Sequence, residues 1–378
     1  MRIGVLFHGA PIFYHGFAMR LLDTLNELGS VKSIVSGPIS RTACLDSLLH
    51  QGVEISSKKP SEVMKKMEGS VDLIILATYS KSPQSGYAYG WMILERSNVE
   101  RQIEASNNTL VKWRDCEEVV KFLSGKLGCD VIEPPAGYER PVWTDGSRTY
   151  KRVLAVRPGE FIVINGFVVG KAKSDDVVIV LENGRIMEIS GVDIKEHGLE
   201  KFEKRYPIIS PFNMKIYSFD ILYEKISDNL NMVLVEEKGE GTAYVDHSGY
   251  EIYAIACSCE GAISIGDDTT LITNDILARF KKPVLGVVDL DFDGIINNIN
   301  VVPESEIIIT KNDDKAGELI FREVFKGRNY INLSFDEAKE KVIRLLEVNN
   351  LLIKRGFSVN ILREKGYSVI TVGSWNRS

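Results

Sequence analysis

MRIGVLFHGAPIFYHGFAMRLLDTLNELGSVKSIVSG, residues 1–37, reads as strand, loop, helix and strand. Arg2–Phe7 is a short, mostly apolar run, and His8-Gly9-Ala10-Pro11 ends it as a loop. Apolar residues then fall at positions 17, 18, 21, 22, 25 and 28, the period of a helix. Val31–Val35 is a second strand, stopped by Ser36-Gly37-Pro38, and Val71–Ala77 is a third, continuously apolar one. Apolar strands alternating with helices over short loops predict a doubly wound parallel sheet. Ligands of such sheets bind beyond the carboxyl ends of the strands. Here those ends carry His8-Gly9, the run from Gly37 to Thr42, and Thr78-Tyr79-Ser80.

From residue 150 the periodicity shortens. Glu160–Ile164, Phe167–Val169, Asp176–Leu181 and Arg185–Ile189 read as short strands, and Asn165-Gly166 and Asn183-Gly184 are hairpin signals. A strand is expected near Met232–Glu236. Beyond 240, Tyr250–Ala256 reads as a strand, Cys259-Glu260-Gly261 as the start of a loop, and Leu271–Phe280 as a helix. Pro283–Asp289 and Glu306–Thr310 read as further strands. Asn312 can cap a helix, with Asp313 and Asp314 complementing its dipole. Ser334-x-x-Glu337 is a capping box opening a helix to about Lys354. The expected fold class is α/β: two doubly wound (Rossmann-like) α/β domains at 1–140 and 240–378, with a small β-rich insert domain at 150–238 between them.

The chain has 378 residues, 44% hydrophobic and 26% charged, which excludes disorder, collagen and coiled coil. Its apolar runs fall short of the ~18 residues of a membrane span. The N-terminus enters a strand directly, so neither a signal peptide nor a membrane is expected. A formal charge of −6 disfavours sequence-independent nucleic-acid binding without excluding nucleic acid. Five cysteines without framework spacing point to a reducing, cytoplasmic compartment.

The chemistry-bearing residues gather in the last block. Asp289-Leu290-Asp291-Phe292-Asp293-Gly294 follows an apolar strand. Period-two geometry would put its carboxylates on one side, where they repel unless a cation sits among them. Mg²⁺ takes oxygen ligands, commonly one or two carboxylates plus substrate phosphates. The bland alternative is a solvated acidic turn. An EF-hand calcium loop is a rival, but its twelfth position would be Asn300 and a strand precedes it. Gly266-Asp267-Asp268-Thr269-Thr270 opens a helix whose free amides attract phosphate. Its two aspartates call for a bridging metal, or else act as an acidic cap. The expected metal ligands are Asp267, Asp268, Asp289 and Asp291. Gly266, Thr269 and Thr270 are expected to contact a phosphate or other ligand. His8, Gly9, Arg41 and Thr42 are expected to line an N-terminal cleft for a small anionic or phosphorylated ligand, with Arg41 on the surface. No dinucleotide fingerprint and no P-loop occurs at a strand–helix junction.

Glu260-Gly261, followed by Asp289-x-Asp291, resembles the Toprim fold of topoisomerases, primases and related nucleases. That resemblance implies a catalytic set of Glu260, Asp289 and Asp291, with Glu260 in acid–base work and the aspartates holding Mg²⁺. A single helix between Gly261 and Pro283 departs from the pattern. Asp289-x-Asp291 after a hydrophobic strand is also similar to the haloacid-dehalogenase phosphatases, with Lys311 as their cation. Gly266-Asp267-Asp268 would be their second acidic motif, but it stands upstream, the wrong order.

Over most of the length, the chain resembles an uncharacterised domain-of-unknown-function family of methanogenic archaea. The carrying segments are Gly4–Gly9, Arg41-Thr42-Ala43, Asn165-Gly166 with Val169-Gly170, Lys195–Glu200, Gly266–Thr270 and Asp289–Gly294. The resemblance implies an archaeal cytoplasmic source and supplies no catalytic role. Two functional classes follow: a Mg²⁺-dependent enzyme transferring or hydrolysing phosphoryl groups on a phosphorylated small molecule or nucleotide, or a non-catalytic metabolite or nucleotide sensor or assembly protein.

Overall fold

The computed structural model describes residues 1–80, 86, 89–93, 102–106, 109–113, 116–133, 142–154, 156–219, 232–246, 252–292, 294, 296 and 298–372. They form two compact units: Met1–Ser36 with Gly52–Leu222, and Gly37–Gln51 with Tyr223–Ser378. Among them, no helix is long and apolar enough to cross a membrane.

The first unit contains a mixed sheet and an antiparallel β region. The mixed sheet holds β1 (Arg2–Phe7), β2 (Ser30–Ser36), β3 (Glu54–Ser56), β4 (Leu73–Ala77), β5 (Gln102–Ser106), β6 (Thr109–Lys112) and β7 (Asp130–Ile132), in the order β3-β2-β1-β4-β5-β6-β7. Strands β1 to β5 run parallel, while β6 turns back against β5 and β7 follows β6. Helices α1 (Pro11–Tyr14) and α2 (Phe17–Asn26) connect β1 to β2. Helix α3 (Pro38–Asp46), next in the chain after β2, belongs to the second unit; α4 (Pro60–Met67) precedes β4, and α5 (Glu117–Leu127) joins β6 to β7. All of β4, and β1 after its first residue, are buried, which is why these strands read as unbroken apolar runs.

The β region has strands β8 (Val142–Asp145), β9 (Arg148–Val153), β10 (Phe161–Ile164), β11 (Phe167–Ala172), β12 (Val177–Glu182), β13 (Arg185–Ser190), β14 (Val192–Ile194) and, after helix α6 (Glu196–Arg205), β15 (Ile216–Phe219). They make two four-stranded sheets, β13-β12-β9-β8 and β14-β11-β10-β15. Both Asn-Gly pairs turn hairpins. Each Asn and Gly has positive φ (50° and 94°; 51° and 77°), as a two-residue turn matched to strand twist requires. Ile162, Ile164, Val169, Ile179, Leu181 and Phe202 fill the core.

The second unit has a sheet of β16 (Thr242–Asp246), β17 (Gly261–Ile265), β18 (Val284–Val288) and β20 (Glu306–Thr310), all parallel. β21 (Tyr330–Ile331) and β22 (Leu352–Phe357) flank it antiparallel, in the order β21-β16-β17-β18-β20-β22. β19 (Asn298–Val301) pairs separately with β23 (Ser368–Thr371). The helices are α7 (Ile252–Ser258), α8 (Asp267–Ala278), α9 (Asp313–Glu323), α10 (Phe335–Val348) and α11 (Ser358–Glu364). The four parallel strands follow one another across the sheet without reversal. Helices cover both faces: Ile252, Tyr253, Ile276 and Leu277 pack on one, and Ala316, Ile320, Val342 and Leu346 on the other.

Three local expectations are corrected. The apolar run at Tyr250–Ala256 is helical where described: α7 buries Ile252, Tyr253 and Ala256, the spacing of one helix face. No ladder pairs the stretch 232–240. The supposed loop after Glu260 is β17, whose sequence GAISI opens on two small residues: a Cβ on Gly261 would stand 2.5 Å from the Phe335 ring and 2.7 Å from Pro283 O.

The same crowding acts on β18. A Cβ on Gly286 would stand 2.3 Å from Thr270 Cγ2, because α8 lies directly on the strand. Gly286→Ala is therefore expected to cost about 1–3 kcal/mol as overpacking. Urea unfolding would show this as a lower midpoint at unchanged slope.

Helix α3 packs into the second unit through charge as well as apolar contact. Arg279, fully buried, donates to both Asp46 oxygens, at 3.1 and 2.6 Å. It also reaches Asp275 Oδ2 at 3.0 Å. Asp275 Oδ1 accepts from the backbone N–H (3.0 Å) and side-chain amide (2.7 Å) of Asn300. Asn300 is thus a buried β19 residue, not the twelfth position of a calcium loop. Asp46 Oδ1 accepts further from Val233 N–H at 3.1 Å.

Candidate metal centre

Three neighbouring strands of the second sheet end in aspartate. β17 turns at Gly266 (φ 96°, ψ 147°), and Asp267 begins α8. β18 runs into Asp289. β20 leads through Lys311 and the capping Asn312, whose side chain accepts from Lys315 N–H at 2.8 Å, to Asp313 at the start of α9. Because β17, β18 and β20 are adjacent and parallel, their loops emerge at one edge. One oxygen each of Asp267, Asp289 and Asp313 lies within 4.8 Å of the others.

Asp267 organises this edge. Only 5% exposed, it accepts from Leu290 N–H at 3.0 Å and Asp289 N–H at 3.3 Å. These bonds hold Leu290 at φ 75°, a conformation that costs energy in any residue with a side chain. Burial pushes the Asp267 carboxyl well above the usual carboxylate range, and Asp291, Asp289 and Asp313 push it further. Glu306, at the other end of β20, shows the contrast. Burial raises it too, but Arg355 at 2.7 Å and Lys339 at 3.0 Å outweigh that and hold it low. The groups that act most strongly on Asp267 are instead burial and other carboxylates. A cluster of carboxylate oxygens in that condition suits a hard divalent cation, Mg²⁺, Mn²⁺ or Ca²⁺.

The other expected residues divide. Asp291 is close enough to raise Asp267, and Asp268 is the second residue of α8. Thr269 stands partly exposed at the same helix start. Thr270 is fully buried and shares its hydroxyl with Ser264 Oγ at 2.6 Å, so it locks α8 to β17. Asp293 lies outside the described residues. Glu260 precedes β17 and so sits at the opposite edge, about 16 Å of strand away from Asp289. Its Oε2 accepts from Phe335 N–H at 3.2 Å. The catalytic grouping of Glu260 with Asp289 and Asp291 is corrected accordingly: the Glu-Gly pair begins a strand here, whereas the Toprim pattern places it after one. In sequence Asp313 is only a partner of the helix dipole. Its signal is that an apolar strand followed within three residues by aspartate recurs at 265–267, 288–289 and 310–313.

A family profile described as an uncharacterized protein conserved in archaea (DUF2117) matches residues 5–328. The chain belongs to this family. The matched span includes all three clustered aspartates. "Uncharacterized protein MJ0065" of Methanocaldococcus jannaschii is 32% identical over 378 residues, covering 93% of this chain and 98% of its own. The methanogen resemblance read from the sequence is thereby established. No solved structure matches the chain.

In this DUF2117 member the expected N-terminal site falls in two parts. Arg41 and Thr42 belong to α3 and the second unit. Both are fully buried, with Arg41 Nε bonded to Gly37 O (3.1 Å), its guanidinium 4.6 Å from the centre of the Tyr253 ring, and Thr42 Oγ1 bonded to Ile39 O (2.7 Å). The surface placement expected of Arg41 is corrected: it packs in the interior. His8 and Gly9 remain at the carboxyl edge of the first sheet.

The His8 imidazole is pushed down to about 4 by burial, against a weaker opposing pull from Ser36 O. Between about pH 4 and its ordinary 6.5 the unfolded chain binds this proton and the folded chain does not. Stability should therefore be unaffected by His8 above that window. It should fall as pH drops through it, by up to about 3 kcal/mol. Urea melts at pH 4.5 and 7.5 check this: His8→Gln should shrink the difference between them.

Proposed function

We propose that Asp267, Asp289 and Asp313 hold a divalent cation, Mg²⁺ in the cell, and that this centre serves phosphoryl transfer or hydrolysis on a phosphorylated small molecule or nucleotide. The observation that supports this reading is the convergence of three carboxylate oxygens within 4.8 Å at the carboxyl edge of a parallel sheet. A bound Mg²⁺ would neutralise charge developing on a phosphoryl group. The chain's own contribution is positioning. Free amides at the starts of α8 and α9 attract phosphate oxygens, and Thr269 adds a hydroxyl donor. Asp291, close enough to act on Asp267, would orient water or a second metal-bound group. The Asp267 bonds to the 289–290 backbone keep the strand end from relaxing when the carboxylates are charged. The proposal also reads the first sheet, whose order reverses between β1 and β4, as Rossmann-like. It places the protein in the cytoplasm, where five free thiols would stay reduced.

The test is phosphate release from nucleoside triphosphates, diphosphates and sugar phosphates, with and without Mg²⁺. Wild type should turn over at least one of them in Mg²⁺ only, and Asp289→Asn should lose about 100-fold or more, roughly 2.7 kcal/mol of barrier. Metal binding without turnover of any of these would move the reading to a non-catalytic sensor.

A further inference from the structure

The first sheet has its own carboxyl edge, where Lys58 and Lys59 follow β3, two strands from β1. After β1 the chain builds β2 and β3 on one side, then returns to place β4 on the other. The point where β1 and β4 meet is therefore a topological switch point, where open α/β sheets leave a crevice beyond their carboxyl ends. The residues leaving those ends are His8-Gly9 and Thr78-Tyr79-Ser80, tied together by His8 N–H to Ala77 O at 3.0 Å. Two aromatic stacks stand there. His8 lies on Tyr89 with ring centroids 4.6 Å apart, and His15 lies on Tyr79 at 4.3 Å, each pair 17° from coplanar. His15 is exposed, and His8, Tyr79, Ser80 and Tyr89 are partly so. The hydroxyls of Thr78 and Ser80 pair at 3.1 Å.

The His8 tautomer follows from its partner. Nδ1 faces Ser36 O at 3.3 Å, and a carbonyl can only accept, so Nδ1 carries the hydrogen and Nε2 is left as an acceptor. The described residues at the switch point therefore offer flat rings, a fixed acceptor and hydroxyls, and none of them is Lys, Arg, Asp or Glu. A phosphate would find no cation among them. A flat heteroaromatic base carrying a polyol matches each element: stacking for the base, and Nε2 and the hydroxyls for the sugar.

We propose that the β1–β4 switch point is a second, metal-independent site, which binds an uncharged nucleoside through the two histidine–tyrosine stacks and the Nε2 acceptor of His8. It does not rest on the metal centre.

The test uses the full chain with labelled histidine, of which there are five, and adenosine, guanosine, cytidine, uridine and AMP as probes. At least one nucleoside should shift the His8 and His15 ring signals of wild type. By calorimetry, Tyr79→Ala and His8→Phe should each weaken that nucleoside about tenfold, the latter keeping the stack but losing the acceptor. Asp289→Asn should leave it unchanged, which separates this site from the metal centre. No shift at His8 and His15 with any nucleoside at millimolar concentration overturns the proposal. So does binding indifferent to both substitutions, or AMP held tenfold more tightly than adenosine.

Discussion

Replacing Arg279 with methionine is expected to lower the free energy of unfolding by about 3–5 kcal/mol. The guanidinium is wholly inside the second unit and serves two carboxylates there, Asp46 and Asp275, whose side chains are 1% exposed. Methionine fills much of the same space but leaves two buried charges without their cation. The loss comes from that exposed imbalance more than from the bonds themselves, so pairing Arg279→Met with Asp46→Leu should recover part of it. Denaturant unfolding of the single and double variants measures both. A loss below about 1 kcal/mol for Arg279→Met would contradict the docking of α3 described above.

This ion pair also shows what was hidden in the chain. Asp46 and Arg279 are separated by 233 residues, and nothing in local periodicity joins them. Arg41, the fourth residue of a helix that begins with Gly-Pro, has the look of a surface anion clamp. Only the packing of α3 under Tyr253 makes it interior. By contrast β1, β4, β18 and β20 were legible because burial on both faces demands unbroken apolar runs. The Asn-Gly hairpins and the Ser334–Glu337 capping box were legible because they are local chemistry. β17 was not, since Gly261 and Ala262 are chosen by close neighbours and carry no strand signature of their own. The α7 run, apolar at nearly every position, fits strand and helix equally until its buried face is seen.

The candidate centre divides along the same line. Asp267 and Asp289 stand in conspicuous acidic motifs. Asp313 follows a cap and begins a helix, where acids are ordinary, and it joins the others only through the β17-β18-β20 order. Glu260 shows the converse: β17 carries no strand signature at its start, so a residue before that strand resembles one after it.

Mg²⁺ or Mn²⁺ at a hundredfold excess over its dissociation constant should raise the stability of the native protein by about 2.7 kcal/mol. Asp289→Asn should remove that gain. The metal-free variant should be at least as stable as metal-free wild type, because one of the charges crowding Asp267 is gone. That combination, a variant no weaker alone but deaf to metal, distinguishes a cation site from an acidic turn. In an acidic turn neither protein would respond. If the carboxylates were structural caps, the substitution would destabilise with or without metal.

The most direct test of convergence uses Asp313, the ligand that the fold alone brings to the edge. Titration of Mn²⁺ by calorimetry should find one ion per wild-type chain, and Asp313→Asn should weaken it tenfold or more. Binding equal to wild type in Asp313→Asn, or no binding to wild type at all, would contradict the account.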